Sequence, residues 1–185
     1  MPITGQGWEM HIVRTREQRR PSGRRRTIGT YQVFHDGVPQ TGRDMRGMVA
    51  ETKGPGANRP RGNGKRVEPK RYPLATQAGG RYVTWNYKES DSPRATLKPG
   101  FELLQTGERT EILVHPGQSF LASIGCINPC TSLPNADELI TYTTSRRRVI
   151  SLIEDMKAYV GSDFPRTNGR RIPRAFVVID GDPIS

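Results

Sequence analysis

The sequence predicts a mainly β protein, a sandwich or partly closed barrel with one or two helices after Cys126, formed by residues 1–185 as one domain. Three observations lead there. Short stretches of β-branched and aromatic residues recur along the first two thirds of the chain. They are punctuated by many of its 20 glycines and 15 prolines, against an apolar fraction of only 33%. Helical periodicity appears only after residue 134. A chain of 185 residues buries enough surface to hold a core without metal or disulfide staples.

In chain order, 8–14 and 27–35 alternate apolar and polar residues, and Pro21-Ser22-Gly23 between them reads as the break of a hairpin. His35-Asp36-Gly37 reads as a tight turn. Residues 48–52 form a short strand, and the Gly-, Pro-, Asn- and Arg-rich run 54–65 a surface loop. Strands follow at 72–76, 81–87, 101–104 and 111–115. Beyond Pro134, Asn135 and Glu138 stand at the offset of a capping box and predict a helix start. Thr141, Thr143 and Thr144 predict a break, with Ser145 capping a second helix. Val149, Leu152, Ile153, Met156 and Val160 make one buried helical face, and Gly161 stops it. The apolar run 175–179 reads as a buried closing strand.

Lysine and arginine outnumber aspartate and glutamate by 29 to 18, a formal charge of +11 that attracts polyanions, whether nucleic acid or anionic envelope polymers. The charge concentrates in two segments, 14–26 and 53–71, read as loop-rich and solvated. Neither interleaves aromatic rings among its arginines as a single-strand binder does. Two cysteines exclude a disulfide scaffold and a Cys-x-x-Cys zinc site. No run approaches the roughly 18 apolar residues of a transmembrane helix, so no transmembrane segment is expected. The first thirty residues lack the apolar stretch of a Sec signal peptide, so work outside the cytoplasm implies a non-Sec route or a leader that this sequence does not include.

The segment that carries chemistry runs from Glu111 to Pro129. An apolar strand delivers His115 at its end, and eleven positions later comes Ser123-Ile124-Gly125-Cys126-Ile127-Asn128. A loop of that length can fold back and bring imidazole to thiol, with His115 as general base and Cys126 as nucleophile, stabilised as an imidazolium–thiolate pair. Gly125 lets the backbone turn beside the sulfur and offer amides to an oxyanion. Ser123 is expected to orient the loop through its hydroxyl, and Asn128 to brace it or touch substrate. Enzymes of the papain and NlpC/P60 kinds place histidine after cysteine, whereas His11, His35 and His115 all precede Cys126. Cys130 reads as a small buried hydrophobe, with a disulfide to Cys126 as the alternative. His35 reads as structural, and Tyr31, Tyr82 and Trp85 as core packing, with lining a cleft as the alternative. The chemistry calls for no cofactor and no metal.

Ser123 to Asn128, with a histidine upstream at a strand end, resembles the Ser/Thr-His-Gly-Cys-hydrophobic-Asn/Arg signature of the L,D-transpeptidases, the YkuD-like enzymes of peptidoglycan. It is closer still to shorter variants of that superfamily, the DUF5675-like proteins and the L,D-transpeptidase-like effectors of type VI secretion. Ile124 stands where typical members carry histidine. The resemblance implies the β-rich L,D-transpeptidase catalytic fold, a thioacyl-enzyme on Cys126 and peptidoglycan stem peptides as substrate. Cleavage before the terminal D-alanine of a tetrapeptide is expected, giving an L,D-carboxypeptidase or L,D-transpeptidase. The site of action is then the bacterial periplasm or cell wall. Partners implied are a cognate immunity protein or a secretion-apparatus component if the chain is an antibacterial toxin. The alternative is a non-catalytic basic module that binds nucleic acid or another polyanion.

Overall fold

A computed structural model describes residues 2–121 and 123–182. Its strands are β1 (Trp8–Arg19), β2 (Arg25–His35), β3 (Val38–Pro39), β4 (Arg46–Thr52), β5 (Arg71–Thr76), β6 (Tyr82–Val83), β7 (Lys98–Pro99), β8 (Phe101–Leu103), β9 (Leu113–Val114), β10 (Asn128–Cys130) and β11 (Arg171–Asp180). A single α-helix, α1 (Tyr142–Val160), precedes a short 3-10 turn at Gly161–Asp163. The architecture is mainly β with a nearly closed, barrel-like sheet, as the sequence predicts.

Eight strands run in the order β10-β4-β2-β1-β11-β5-β8-β9, with β3 pairing on β2. The two ends of this path come together: Val114, in β9, bridges Ile127, just before β10, in parallel. The Ile127 amide donates to Leu113 O at 2.8 Å and the His115 amide to Ile127 O at 3.1 Å. Closure satisfies edge groups that would otherwise face solvent. It also turns the segment flagged for chemistry into the seam of the barrel.

The interior is filled by Trp8, Met10, Ile12, Val33, Leu74, Phe101, Val114, Ile127, Val177 and Ile179, each fully buried. The apolar stripe of α1, Val149, Leu152, Ile153, Met156 and Val160, packs into the same core. Each such side chain contributes roughly 1.5–3 kcal/mol on burial. The 175–179 run lies in β11 at the middle of the sheet, parallel to β1 and antiparallel to β5, and so is shielded by strands on both sides.

Four expectations change. Segment 14–26 is not a solvated loop: β1 continues to Arg19, β2 begins at Arg25, and only a tight turn separates them. Its arginines enter the structure because acids and carbonyls meet them. Arg14 pairs with Glu51 at 2.7 Å and donates to Val67 O. Arg26, fully buried, donates to Gln18 Oε1 and to the carbonyls of Phe120, Asn135 and Glu138. Segment 53–70 does lack strands, yet Arg66 within it is buried against Glu17 and Asp182. Next, no helix starts at Asn135. Its side chain accepts from the amides of Asp137 and Glu138 as a cap would. The carbonyls a helix needs are instead taken by Arg20 and Arg26, so the chain stays a turn. One helix therefore stands where one or two were expected, and Ser145 lies inside it, not at its cap. Last, the strand predicted over 81–87 shrinks to Tyr82–Val83, because the amides of Thr84 and Trp85 turn to Asn168 Oδ1.

Candidate active site at the barrel seam

Strand pleating decides which side chains share a face. Val114 and Ile127 point into the core, so their neighbours Leu113, His115, Cys126 and Asn128 point the other way. His115 sits beside Asn128 in this register, and Cys126 beside Leu113. The histidine and the cysteine are thus diagonal neighbours across the seam, a relation that sets backbones roughly 7–8 Å apart and within reach of a ring. Both line one open cavity of about 860 Å³. The spatial proximity expected from the eleven-residue spacing is therefore met at the level of one shared wall, but the two side chains are not hydrogen-bonded to each other.

The His115 ring is held on two sides. Its Nδ1 lies 2.9 Å from Pro116 O and 3.4 Å from Asn128 Nδ2; the shorter contact, to a carbonyl that can only accept, favours the neutral tautomer with the proton on Nδ1. Nε2 is left with the lone pair a general base needs. Tyr82 stacks on the ring with centroids 4.3 Å apart and planes 34° from parallel. Burial pushes the His115 pKa down to about 4, the Pro116 carbonyl opposing, and the charges of Lys98 and Arg81 add to the fall.

Asn128, fully buried, donates from Nδ2 to His115 O at 3.0 Å and accepts at Oδ1 from Ser123 Oγ at 3.0 Å. Ser123 also reaches Cys126 O at 3.4 Å. Asn128 and Ser123 therefore tie the histidine strand and the cysteine loop to each other. The Gly117 backbone lies so close that a Cβ there would come within 2.7 Å of Asn128 Cβ, so Pro116-Gly117 is the turn that lets Asn128 reach the histidine. Ser145, from the first turns of α1, accepts from the Gly117 amide at 2.8 Å and donates to Pro129 O, anchoring the helix to both sides of the seam.

Cys126 is 9% exposed. Its Sγ accepts from the Leu113 amide at 3.4 Å and lies 3.6 Å from Glu111 O. Burial pushes the thiol pKa up to about 11, opposed by the Leu113 amide and the charge of Arg109. At rest the pair is neutral thiol and neutral imidazole, not the expected ion pair, because both groups are buried and the charged forms lose hydration. Gly125, at φ 91, makes the turn before the sulfur, but its amide already donates to Thr52 Oγ1 at 2.8 Å. It serves as loop support; an oxyanion role would require that bond to break first.

The other residues divide cleanly. Cys130 is buried among Ile28, Ala50, Leu133 and Ile140 and is free. Four residues of extended chain separate the sulfurs' backbones by roughly 13 Å, too far for a disulfide. His35 holds Asp155 at 2.8 Å and stacks on Tyr159, a structural role. Tyr31 and Trp85 bond to Asp44 O and Pro165 O away from the cleft. Tyr82, for which the sequence favours packing with cleft lining as the alternative, lines the cleft over His115. Arg24, Arg25, Lys53 and Arg81 surround the opening, with Glu111 the one acid among the described lining residues, and Ile124, 70% exposed, stands on its lip. Among the described residues no cluster of three metal-ligating side chains occurs, and no helix is long and apolar enough to cross a membrane. Ala122, just before the Ser123–Asn128 motif, lies outside the described residues. Comparison with protein-family models, curated proteins and solved structures returns no match.

Proposed function

We propose that the protein is a cysteine-dependent acyl transferase of peptidoglycan stem peptides. One observation carries the reading: His115 and Cys126 project from the two strands of the seam onto the wall of the same open, cation-lined cleft. Stem peptides carry several carboxylates, which suits an opening edged by Arg24, Arg25, Lys53 and Arg81.

In this mechanism Cys126 Sγ attacks the amide carbonyl that follows the L-centre of the diamino acid in a tetrapeptide. The thiol proton passes to His115 Nε2 as the S–C bond forms. Collapse of the tetrahedral intermediate breaks the C–N bond, and the imidazolium returns the proton to the departing D-alanine amine. Water then releases a tripeptide, a second stem's amine gives a cross-link, or a free D-amino acid gives exchange. With a thiol pKa near 11, only about one molecule in 10⁴ is thiolate at neutral pH, so proton transfer accompanies attack and does not precede it. The test is incubation with purified muropeptides followed by mass spectrometry. Tetrapeptides should lose one D-alanine with the wild type and none with Cys126→Ala.

Action in a bacterial periplasm, as an antibacterial effector, is the setting we propose; anionic envelope polymers would retain a +11 protein near the wall. Expression with a periplasmic leader should then be toxic, and toxicity confined to the cytoplasmic form would contradict it. The cations at the cleft favour one second reading, a polyanion-binding module without catalysis. Such binding would fall steeply with salt and be indifferent to Cys126→Ala.

A further inference from the structure

Behind the cysteine turn lies a residue with an unusual electrostatic position. Arg109 is 6% exposed, and its Nη1 donates to two carbonyls, Ala57 O at 3.2 Å and Lys65 O at 2.7 Å, one on each limb of the 54–65 loop. Its Nη2 is turned to the other side, where a Cβ built on Gly125 would come within 1.7 Å of it. Among the described residues no carboxylate pairs with this guanidinium. Arg14, Arg66 and Arg146, buried to a similar degree, each have one; Arg26 also lacks one, but spreads its donors over four acceptors, Gln18 Oε1 and three carbonyls. A buried cation without a counter-ion is costly, and folded chains normally supply one. Cys126 and Tyr72 are the acidic groups that feel its charge, and the Cys126 sulfur follows directly on the glycine that the guanidinium touches.

We propose that Arg109 is a positioning residue whose counter-ion is the Cys126 sulfur at the moment it gains negative charge, and that the glycine at 125 is required to let the guanidinium reach it. The inference rests on Cys126 as the nucleophile. The cation is fixed in advance by loop carbonyls, so no reorganisation is needed when charge develops. Two further consequences belong to the same geometry. The 54–65 loop is tied to the reactive centre through one side chain, and any side chain larger than hydrogen at 125 displaces the charge.

The test requires no substrate, so it is independent of whether muropeptides are turned over. The pH dependence of Cys126 alkylation by iodoacetamide, read by peptide mass, gives the thiol pKa in the wild type, Arg109→Gln and Arg109→Lys. Loss of the charge should raise the pKa by about one unit or more, which slows alkylation about tenfold at pH 8, while lysine restores most of the rate. An unchanged profile in folded Arg109→Gln would overturn the proposal. Should that variant fail to fold, the decision moves to chains that keep Arg109. Cys126→Asp should melt at or above Cys126→Asn at pH 7, because the carboxylate meets its waiting counter-ion. A lower melting temperature for the aspartate would equally overturn it.

Discussion

The stretch from Cys126 to Cys130 holds two thiols in one extended run, and the two ends differ in everything but residue type. Cys130 is sealed among Ile28, Ala50, Leu133 and Ile140, and burial pushes its pKa up to about 12. Cys126 is buried almost as well, with a pKa near 11, yet it opens onto a cleft, neighbours His115 across the seam and backs onto Arg109. Burial alone therefore does not separate an inert thiol from a candidate nucleophile. What separates them is that Cys126 lies just before β10, at the barrel closure, where the chain meets the end of β9, while Cys130, the last residue of β10, lies under a satellite core.

Substitutions can break this contrast. Cys126→Ala should remove D-alanine release altogether, below the detection limit of muropeptide mass spectrometry. His115→Ala should lower kcat by about 10²–10⁴-fold with the fold intact by circular dichroism. The pH profile sharpens the point. His115 must be neutral to take the proton, so kcat/KM should stay flat through neutrality and fall about tenfold per unit below pH 4. The same depression has a stability sign. Between pH 6.5 and 4 the unfolded chain binds the His115 proton and the folded one does not, so the melting temperature should decline as pH falls through that window. Ser145→Ala leaves the Gly117 amide and Pro129 carbonyl without their partner and should cost about 1–3 kcal/mol in denaturant unfolding, with a smaller loss of rate as the seam loosens. Smallest of all, Cys130→Ala should cost about 1 kcal/mol and leave turnover within about twofold.

Much of this was legible in the sequence, and for a physical reason in each case. The strand alternation of 27–35, the helical stripe from Val149 to Val160 and the turn at Pro21-Ser22-Gly23 are local patterns, and local patterns survive folding. His115, Ser123, Cys126 and Asn128 were found because a single loop carries them all. The misreadings were long-range. Nothing in Asn135-Glu138 shows that Arg20 and Arg26, more than a hundred residues upstream, will take the carbonyls a helix requires. Nothing around Arg109, in a polar turn, reveals that two loop carbonyls will bury it behind Cys126. Tyr82 looked like packing because its stacking partner, His115, is 33 positions away and meets it only through tertiary folding. Barrel closure itself, the step that assembles the site, is a pairing of sheet edges that no stretch of sequence displays.

The most direct measurement is the intact mass of the protein after brief incubation with a disaccharide-tetrapeptide. A seam that works as described will trap an acyl adduct one D-alanine lighter than the substrate, located on Cys126 by peptide mapping and missing from Cys126→Ala. An unmodified wild-type mass together with intact tetrapeptide, or an adduct mapped to Cys130, would contradict the claim that the seam's diagonal pair is a catalytic centre.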